Sequence, residues 1–265
     1  MRKNRGPDDA MLRLSIALMG IVLMALQPRL ARAQAGKHES TLAAAIDALV
    51  RKNGVTDDGP GVAILVTRGE RVIFRKGYGL ANLENRAPIT AETLFELASV
   101  SKTFTATAIL ILQEKGRLSI DDDVRKFIFE LPEYAKGRPI HVRHLLHHVS
   151  GLPDYMDFED VPARHRDYWM NDDYVSEFAR HQKDMPLRFP TGAKYQYNNT
   201  NYMLLAVIIE RASEQSFAQF LHDHIFIPAG MRNSFVYQSP ETVPTESGPL
   251  IHAIGYEKGK KKPWK

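Results

Sequence analysis

Apolar positions recur at helical spacing over residues 40–51 (STLAAAIDALVR), with Ser40 or Thr41 placed to cap the first turn. After Gly59-Pro60-Gly61 the pattern changes to two β-rich runs, VAILVT and RVIFRKG, joined by Arg68-Gly69-Glu70. Two such runs around a short Gly-containing connection predict an antiparallel hairpin. Residues 77–95 carry Gly, Asn and Pro and read as a connecting loop. A helix is predicted from about Ser99 to Lys115, stopped by Gly116. Its body, FTATAILILQ, is apolar almost all round, so burial on most sides is expected. LSIDDD (118–123) reads as a turn before a short helix, and 141–148 as a further short helix. Residues 153–196 are rich in Pro, Asp and aromatics, with a helix expected near 171–181. A strong helix follows from Thr200 to about Ser213, then a shorter one near 216–224, and the chain returns after 235. A hairpin followed by a long helical middle predicts an α+β fold with helices gathered into their own lobe.

The first 33 residues read differently. Arg2, Lys3, Arg5 and Arg13 precede the apolar run LSIALMGIVLMAL (14–26), and Ala31-Arg32-Ala33 offers small residues at signal-peptidase spacing. A run of roughly 7–15 apolar residues with such flanks is a secretory signal, while spanning a bilayer takes about 20 residues. The expectation is a signal peptide over 1–33, with Ala33-Gln34-Ala35 as a second cleavage pattern and an uncleaved anchor as the competing reading. The domain would then occupy 34–265, exported to the periplasm or secreted.

This leader changes the meaning of the charge. The chain has 35 Lys/Arg and 31 Asp/Glu, a formal net charge of +4. The leader's basic excess accounts for all of it, so the remainder is neutral and a nucleic-acid partner loses its electrostatic support. The lysines at 258, 260, 261, 262 and 265 form a local basic run that reads as a solvated tail. There is no cysteine, which excludes disulfides, thiol nucleophiles and Cys-based metal sites. With 44% apolar residues, the chain can build a substantial core.

The chemistry centres on Ser99-Val100-Ser101-Lys102. At a separation of three, Ser99 and Lys102 share a helix face, with Cβ atoms about 5–6 Å apart. A serine at a helix N-terminus sits where free N–H groups and the helix dipole favour negative charge. A lysine in an apolar helix loses solvation, which lets part of it act as a base. By itself, Ser-x-x-Lys is also compatible with a capping serine and an exposed lysine. The second element is Tyr197-Asn198-Asn199, before the strong helix. A neighbouring ammonium would lower the Tyr197 phenol and allow it to relay a proton. Asn199 offers a donor and an acceptor to a substrate amide or to the lysine. Alone, this segment equally fits an Asn-rich helix cap.

Three segments in this order go further: LFELASVSKTFTA around Ser99, HLLHHVSGLPDY at 144–155, and YQYNNTNYMLLAVIIE at 195–210. They resemble the serine β-lactamase and penicillin-binding-protein superfamily, over about residues 40–256. The branch they match holds class C β-lactamases, D-alanyl-D-alanine carboxypeptidases and related esterases. Tyr-x-Asn stands where class A enzymes have Ser-Asp-Asn, which points to the class C-like branch. The resemblance implies a β-lactamase/transpeptidase-like fold, with flanking helices on an antiparallel sheet plus a helical lobe. It implies that Ser99 is acylated by an amide or ester carbonyl, and that Lys102 and Tyr197 move the proton. Asn199 would hold substrate, and the Ser99 N–H would donate to the oxyanion. It implies a small-molecule or peptide substrate, no cofactor, no metal, and no membrane contact beyond the export signal.

The superfamily's third element, a His/Lys-x-Gly triplet supplying a second oxyanion donor, is not found after Asn199. Glycines 230, 248, 255 and 259 are preceded two positions earlier by Pro228, Glu246, Ala253 and Glu257. Three further strands and a terminal helix are likewise expected after residue 256 and do not appear in the sequence. The expectation is a fragment or truncated reading frame, with little activity, exposed apolar strands and a tendency to aggregate.

Three other readings are weighed against this one. His141, His144, His147 and His148 have a helical spacing that could share a metal, but without His-Glu-x-x-His. The α/β-hydrolase pattern Gly-x-Ser-x-Gly is absent, and Gly77-Tyr78-Gly79 does not complete a dinucleotide fingerprint. A binding or regulatory protein that keeps the fold without turnover is the non-enzymatic alternative.

Overall fold

The computed structural model describes residues 39–134, 138–155, 175, 186–237 and 251–256. The residues read as an export signal, the basic run from 258 and the helix expected near 171–181, apart from Val175, lie outside them. The chain divides into two compact units, one containing the residues up to Phe95 with those from Ile251, the other containing Glu96–Leu250.

The first unit holds the strands. Helix α1 covers 39–52. Strands β1 (Val62–Arg68) and β2 (Arg71–Tyr78) pair antiparallel with Arg68 opposite Arg71, as the hairpin pattern predicts. Gly69 at φ 59° supplies the left-handed residue of the two-residue turn. Alternation along β1 half-buries Val62, Ile64 and Val66 and leaves Leu65 exposed on the opposite face. Asp47 of α1 ties the helix to β2, accepting from Lys76 Nζ at 2.7 Å and from Tyr78 OH at 2.6 Å.

The expected loop over 77–95 is partly strand. Strand β2 runs through Gly77 to Tyr78, and β3 (Leu80–Asn82) pairs antiparallel with β4 (Ala87–Pro88). Glycine at 77 is required by packing, because a Cβ there would stand 2.2 Å from the Ile89 carbonyl oxygen. The returning segment closes on this unit. His252 bridges Leu94, Ile254 N–H donates to Ala81 O at 2.8 Å, and Tyr256 OH accepts from Leu83 N–H at 2.8 Å.

The second unit is helical. Its elements are α2 (Lys102–Glu114), α3 (Val142–Leu146), α4 (Asn199–Ser213) and α5 (Phe217–Leu221), with 3-10 turns at Ala98–Ser101 and Val124–Lys126. Helix α2 packs on α4, joining Ala108, Ile109 and Leu112 to Leu204, Leu205 and Ile208 in one buried cluster. Each fully buried Leu or Ile contributes about 1.5–3 kcal/mol, so this helix pair is the stable frame behind the site.

Two details of α2 depart from the sequence reading. The α-helix begins at Lys102, because Ala98 at φ 44° turns the chain into a tight 3-10 segment that carries Ser99. Only one face of α2 is buried, through Thr105, Ala108, Ile109 and Leu112, while Leu110 is 54% exposed. An apolar composition all round did not translate into burial all round, since the packing partners cover a single stripe.

Candidate active site

All four sequence-predicted site residues belong to the second unit and meet at one point. Ser99 Oγ lies 2.6 Å from Tyr197 OH. Lys102 Nζ donates to Ser99 Oγ at 3.3 Å and to Asn199 Oδ1 at 3.0 Å. The ammonium also stands 4.9 Å from the centre of the Tyr197 ring. The local pair Ser99–Lys102 comes from one turn of chain; the pair Tyr197–Asn199 arrives from the far side of the sequence. The Asn pair divides its work. Asn198 is the cap of α4, accepting from Asn201 N–H, whereas Asn199 faces Lys102.

The electrostatics favour proton movement among these groups. Burial pushes the Tyr197 phenol up, but the Lys102 ammonium and the Ser99 hydroxyl beside it pull it down, and its pKa ends below the ordinary value. The 2.6 Å oxygen–oxygen distance is in the range of strong O–H···O bonds. Ser99 and Tyr197 are exposed and Lys102 half-buried, so an incoming carbonyl can reach Ser99 Oγ. A non-glycine residue at φ 44°, Ala98, immediately precedes Ser99; such conformations cost on the order of 1–3 kcal/mol and gather at functional sites.

Tyr197 and Asn199 are placed by the segment 148–155, whose part in the site sequence reasoning missed. Asn198 N–H donates to His148 Nδ1 at 3.2 Å, and Asn198 Nδ2 to Leu152 O at 2.6 Å. Ser150 Oγ donates to Asn201 Oδ1 at 2.6 Å, and Tyr155 N–H to Thr200 Oγ1 at 2.8 Å. Asp154 Oδ2 accepts from Asn199 N–H at 2.8 Å and from Asn199 Nδ2 at 3.3 Å. His148, Ser150, Asn198, Thr200 and Asn201 are all buried, so these bonds are shielded from competing water. The His148 ring lies between Tyr197 and Tyr202, with centroids 4.6 and 5.1 Å away. Burial and the nearby Lys102 charge lower the His148 pKa, which keeps Nδ1 free to accept. The available signal was the segment HLLHHVSGLPDY itself, which carries His148, Ser150 and Asp154 within the family resemblance.

Gly151 fixes the path of this segment. It sits at φ 82°, and a Cβ there would meet the Phe189 carbonyl oxygen at 2.2 Å. Arg188 N–H donates to Gly151 O, Gly192 N–H to Val149 O, and Gln196 N–H to His148 O, at 2.8–2.9 Å. The irregular segment 188–196 that leads to Tyr197 is therefore laced to 148–151.

Two of the histidines weighed as metal ligands use a ring nitrogen on the backbone nearby. His144 Nδ1 accepts from His141 N–H at 3.0 Å, and His147 Nδ1 contacts Arg143 O at 2.8 Å. Among the described residues, no group of three or more His, Asp or Glu is placed to hold a metal ion.

The chain is 37% identical over 183 residues to penicillin-binding protein 4* of Bacillus subtilis, covering 68% of this chain and 39% of that protein. It is 32% identical over 201 residues to a D-aminopeptidase of Gluconobacter oxydans, covering 75% of this chain and 35% of the relative. It thus spans well under half the length of these relatives. A class C β-lactamase solved in complex with cefoxitin superposes with a TM-score of 0.68 at 26% identity, covering 88% of this chain and 58% of that one. The α+β, β-lactamase/transpeptidase-like fold expected from the sequence is the fold of these neighbours. The Beta-lactamase family model matches residues 44–249, and the chain belongs to that family, within the superfamily of serine β-lactamases and penicillin-binding proteins.

Proposed function

We propose that this chain carries the acylating site of a serine hydrolase that acts on an amide or ester through an acyl-enzyme. The observation that carries this reading is the single cluster formed by Ser99 Oγ, Tyr197 OH, Lys102 Nζ and Asn199 Oδ1. Ser99 Oγ attacks the carbonyl carbon, forming a C–O bond, and its proton passes into the Tyr197–Lys102 pair. The oxyanion forms near the N-terminus of the turn, with the Ser99 backbone N–H as one donor. Collapse breaks the bond to the leaving amine or alkoxide, which takes the proton back from the pair. Water then hydrolyses the acyl-serine along the same route. Asn199 holds the lysine and offers its amide to substrate.

The substrate class is a β-lactam, a D-alanyl-D-alanine peptide or a simple ester. The D-aminopeptidase relative and the cefoxitin complex support small D-configured or lactam amides. The second reading is a binding protein that keeps the fold without turnover. We further propose that residues 1–33 direct export, placing the domain at 34–265 in the periplasm or outside the cell; no helix among the described residues is long and apolar enough to cross a membrane.

The test is release of p-nitrophenol from p-nitrophenyl acetate by the full chain, with Ser99→Ala as control. Burst release that disappears in the variant supports the hydrolase; equal release by both, with the fold intact, supports the binder.

A further inference from the structure

Lys102 carries three donors and no acceptor, so the direction of its ammonium depends on which acceptors surround it. One of them is Asn199 Oδ1 at 3.0 Å. An amide can present either its oxygen or its NH₂, and the wrong choice would point N–H groups at an ammonium. Here the orientation is set from behind. Asp154 Oδ2 accepts from Asn199 Nδ2 at 3.3 Å and, at 2.8 Å, from the backbone N–H of the same residue. An ionised carboxylate only accepts, so it holds the NH₂ side and leaves the oxygen for Lys102. A negative charge on the first residue of the 15-residue helix α4 is also favoured by the helix dipole.

Resting on the acyl-enzyme reading above, we propose that Asp154 is a positioning residue of the site, which fixes the amide orientation of Asn199 and through it aims the Lys102 ammonium at Ser99. The order of contacts is Asp154, Asn199, Lys102, Ser99, Tyr197, each within hydrogen-bond distance of the next. Asp154 acts through Asn199, whose side-chain amide and backbone N–H it holds. Its charge is also felt at the phenol itself and at the His148 ring beside it. It raises the pKa of Tyr197 and of His148, against the lowering effect of Lys102 on both. The other groups facing Tyr197 are the Ser99 hydroxyl, the His148 ring and the neighbouring phenol Tyr202.

The experiment measures the p-nitrophenol burst rate against pH for the full chain, Asp154→Asn and Asp154→Glu, each checked by thermal melting. Asp154→Asn permits either amide orientation and should slow acylation on the order of ten- to a hundredfold. Removing the carboxylate also removes a charge that raises the phenol's pKa, so the acid limb of the profile should move to lower pH. Asp154→Glu, which keeps the charge, should leave the limb near the wild-type position and recover part of the rate.

Wild-type rate and an unmoved limb in Asp154→Asn would overturn the proposal while leaving the hydrolase reading intact. Equal rate losses in both variants with an unmoved limb would also overturn it, by making Asp154 a loop residue only. Should Asp154→Asn fail to melt cooperatively, the limb and rate of Asp154→Glu decide. A wild-type protein without any burst, identical to Ser99→Ala, removes the hydrolase reading and this inference together.

Discussion

The two halves of the site are built by opposite means. Ser99 and Lys102 are brought together by one turn of chain at the head of α2, and the spacing of three does the work. Tyr197 and Asn199 precede and open α4, and they reach the same point through bonds from Asn198 to His148 and Leu152 and from Asn199 to Asp154. A local element tolerates change around it, because its geometry is carried by its own backbone. A laced element depends on residues distant in sequence, and damage to the lacing should reach the chemistry. The first half is therefore sensitive to side-chain chemistry, and the second to the fold of 148–155.

The sharpest test of the local half is Lys102→Met, which keeps the stem of the side chain and removes the ammonium. Acylation should fall by about 10²–10⁴, with a thermal midpoint close to that of the wild type. A large loss of stability instead would mean that Lys102 holds α2 and α4 together, and would erase the contrast.

For the laced half the corresponding change is Gly151→Ala, outside every catalytic contact. A side chain at φ 82° that also collides with the Phe189 carbonyl should cost on the order of 2–4 kcal/mol. Denaturant unfolding reads the loss, and the burst rate should fall with it as Tyr197 moves. If the protein keeps its stability but loses its burst, the segment positions Tyr197 without supporting the fold.

A smaller effect is expected from acid. His144 is pushed down to about 4 by burial, aided by the charges of His141, Arg143 and His147. A histidine whose folded pKa lies below its usual 6.5 takes up its proton more readily when unfolded. Its destabilising contribution is absent above pH 6.5 and grows as the pH falls from 6.5 towards 4. His148 is shifted in the same direction. Melting temperature should therefore decline over that window, and His144→Asn should flatten the decline. A flat wild-type curve between pH 7 and 4 would show that His144 accepts no such penalty.

The same contrast explains what could be read from the amino-acid order. Helix α2, the β1–β2 hairpin and α4 were legible because their periodicity or turn chemistry is local. Ser99 and Lys102 were legible as a pair for that reason. Tyr197 and Asn199 became candidates through the resemblance of longer segments, since an Asn-Asn cap alone points to nothing more. Asp154, His148 and Ser150 were not legible as site residues, because their meaning lies in partners far along the chain. Strands β3 and β4 were missed because three- and two-residue strands leave no alternation to detect. The start of α2 was misplaced by one turn because the left-handed conformation of Ala98 has no signal in an alanine.

The central claim, that Ser99 is an acyl acceptor, is tested most directly by intact-mass analysis after incubation with benzylpenicillin, with the adduct located by peptide mapping. The account predicts one added acyl group on the peptide containing Ser99, and none in Ser99→Ala. A folded wild-type chain that takes up no acyl group from benzylpenicillin or from p-nitrophenyl acetate, or takes it up equally after Ser99→Ala, would contradict it.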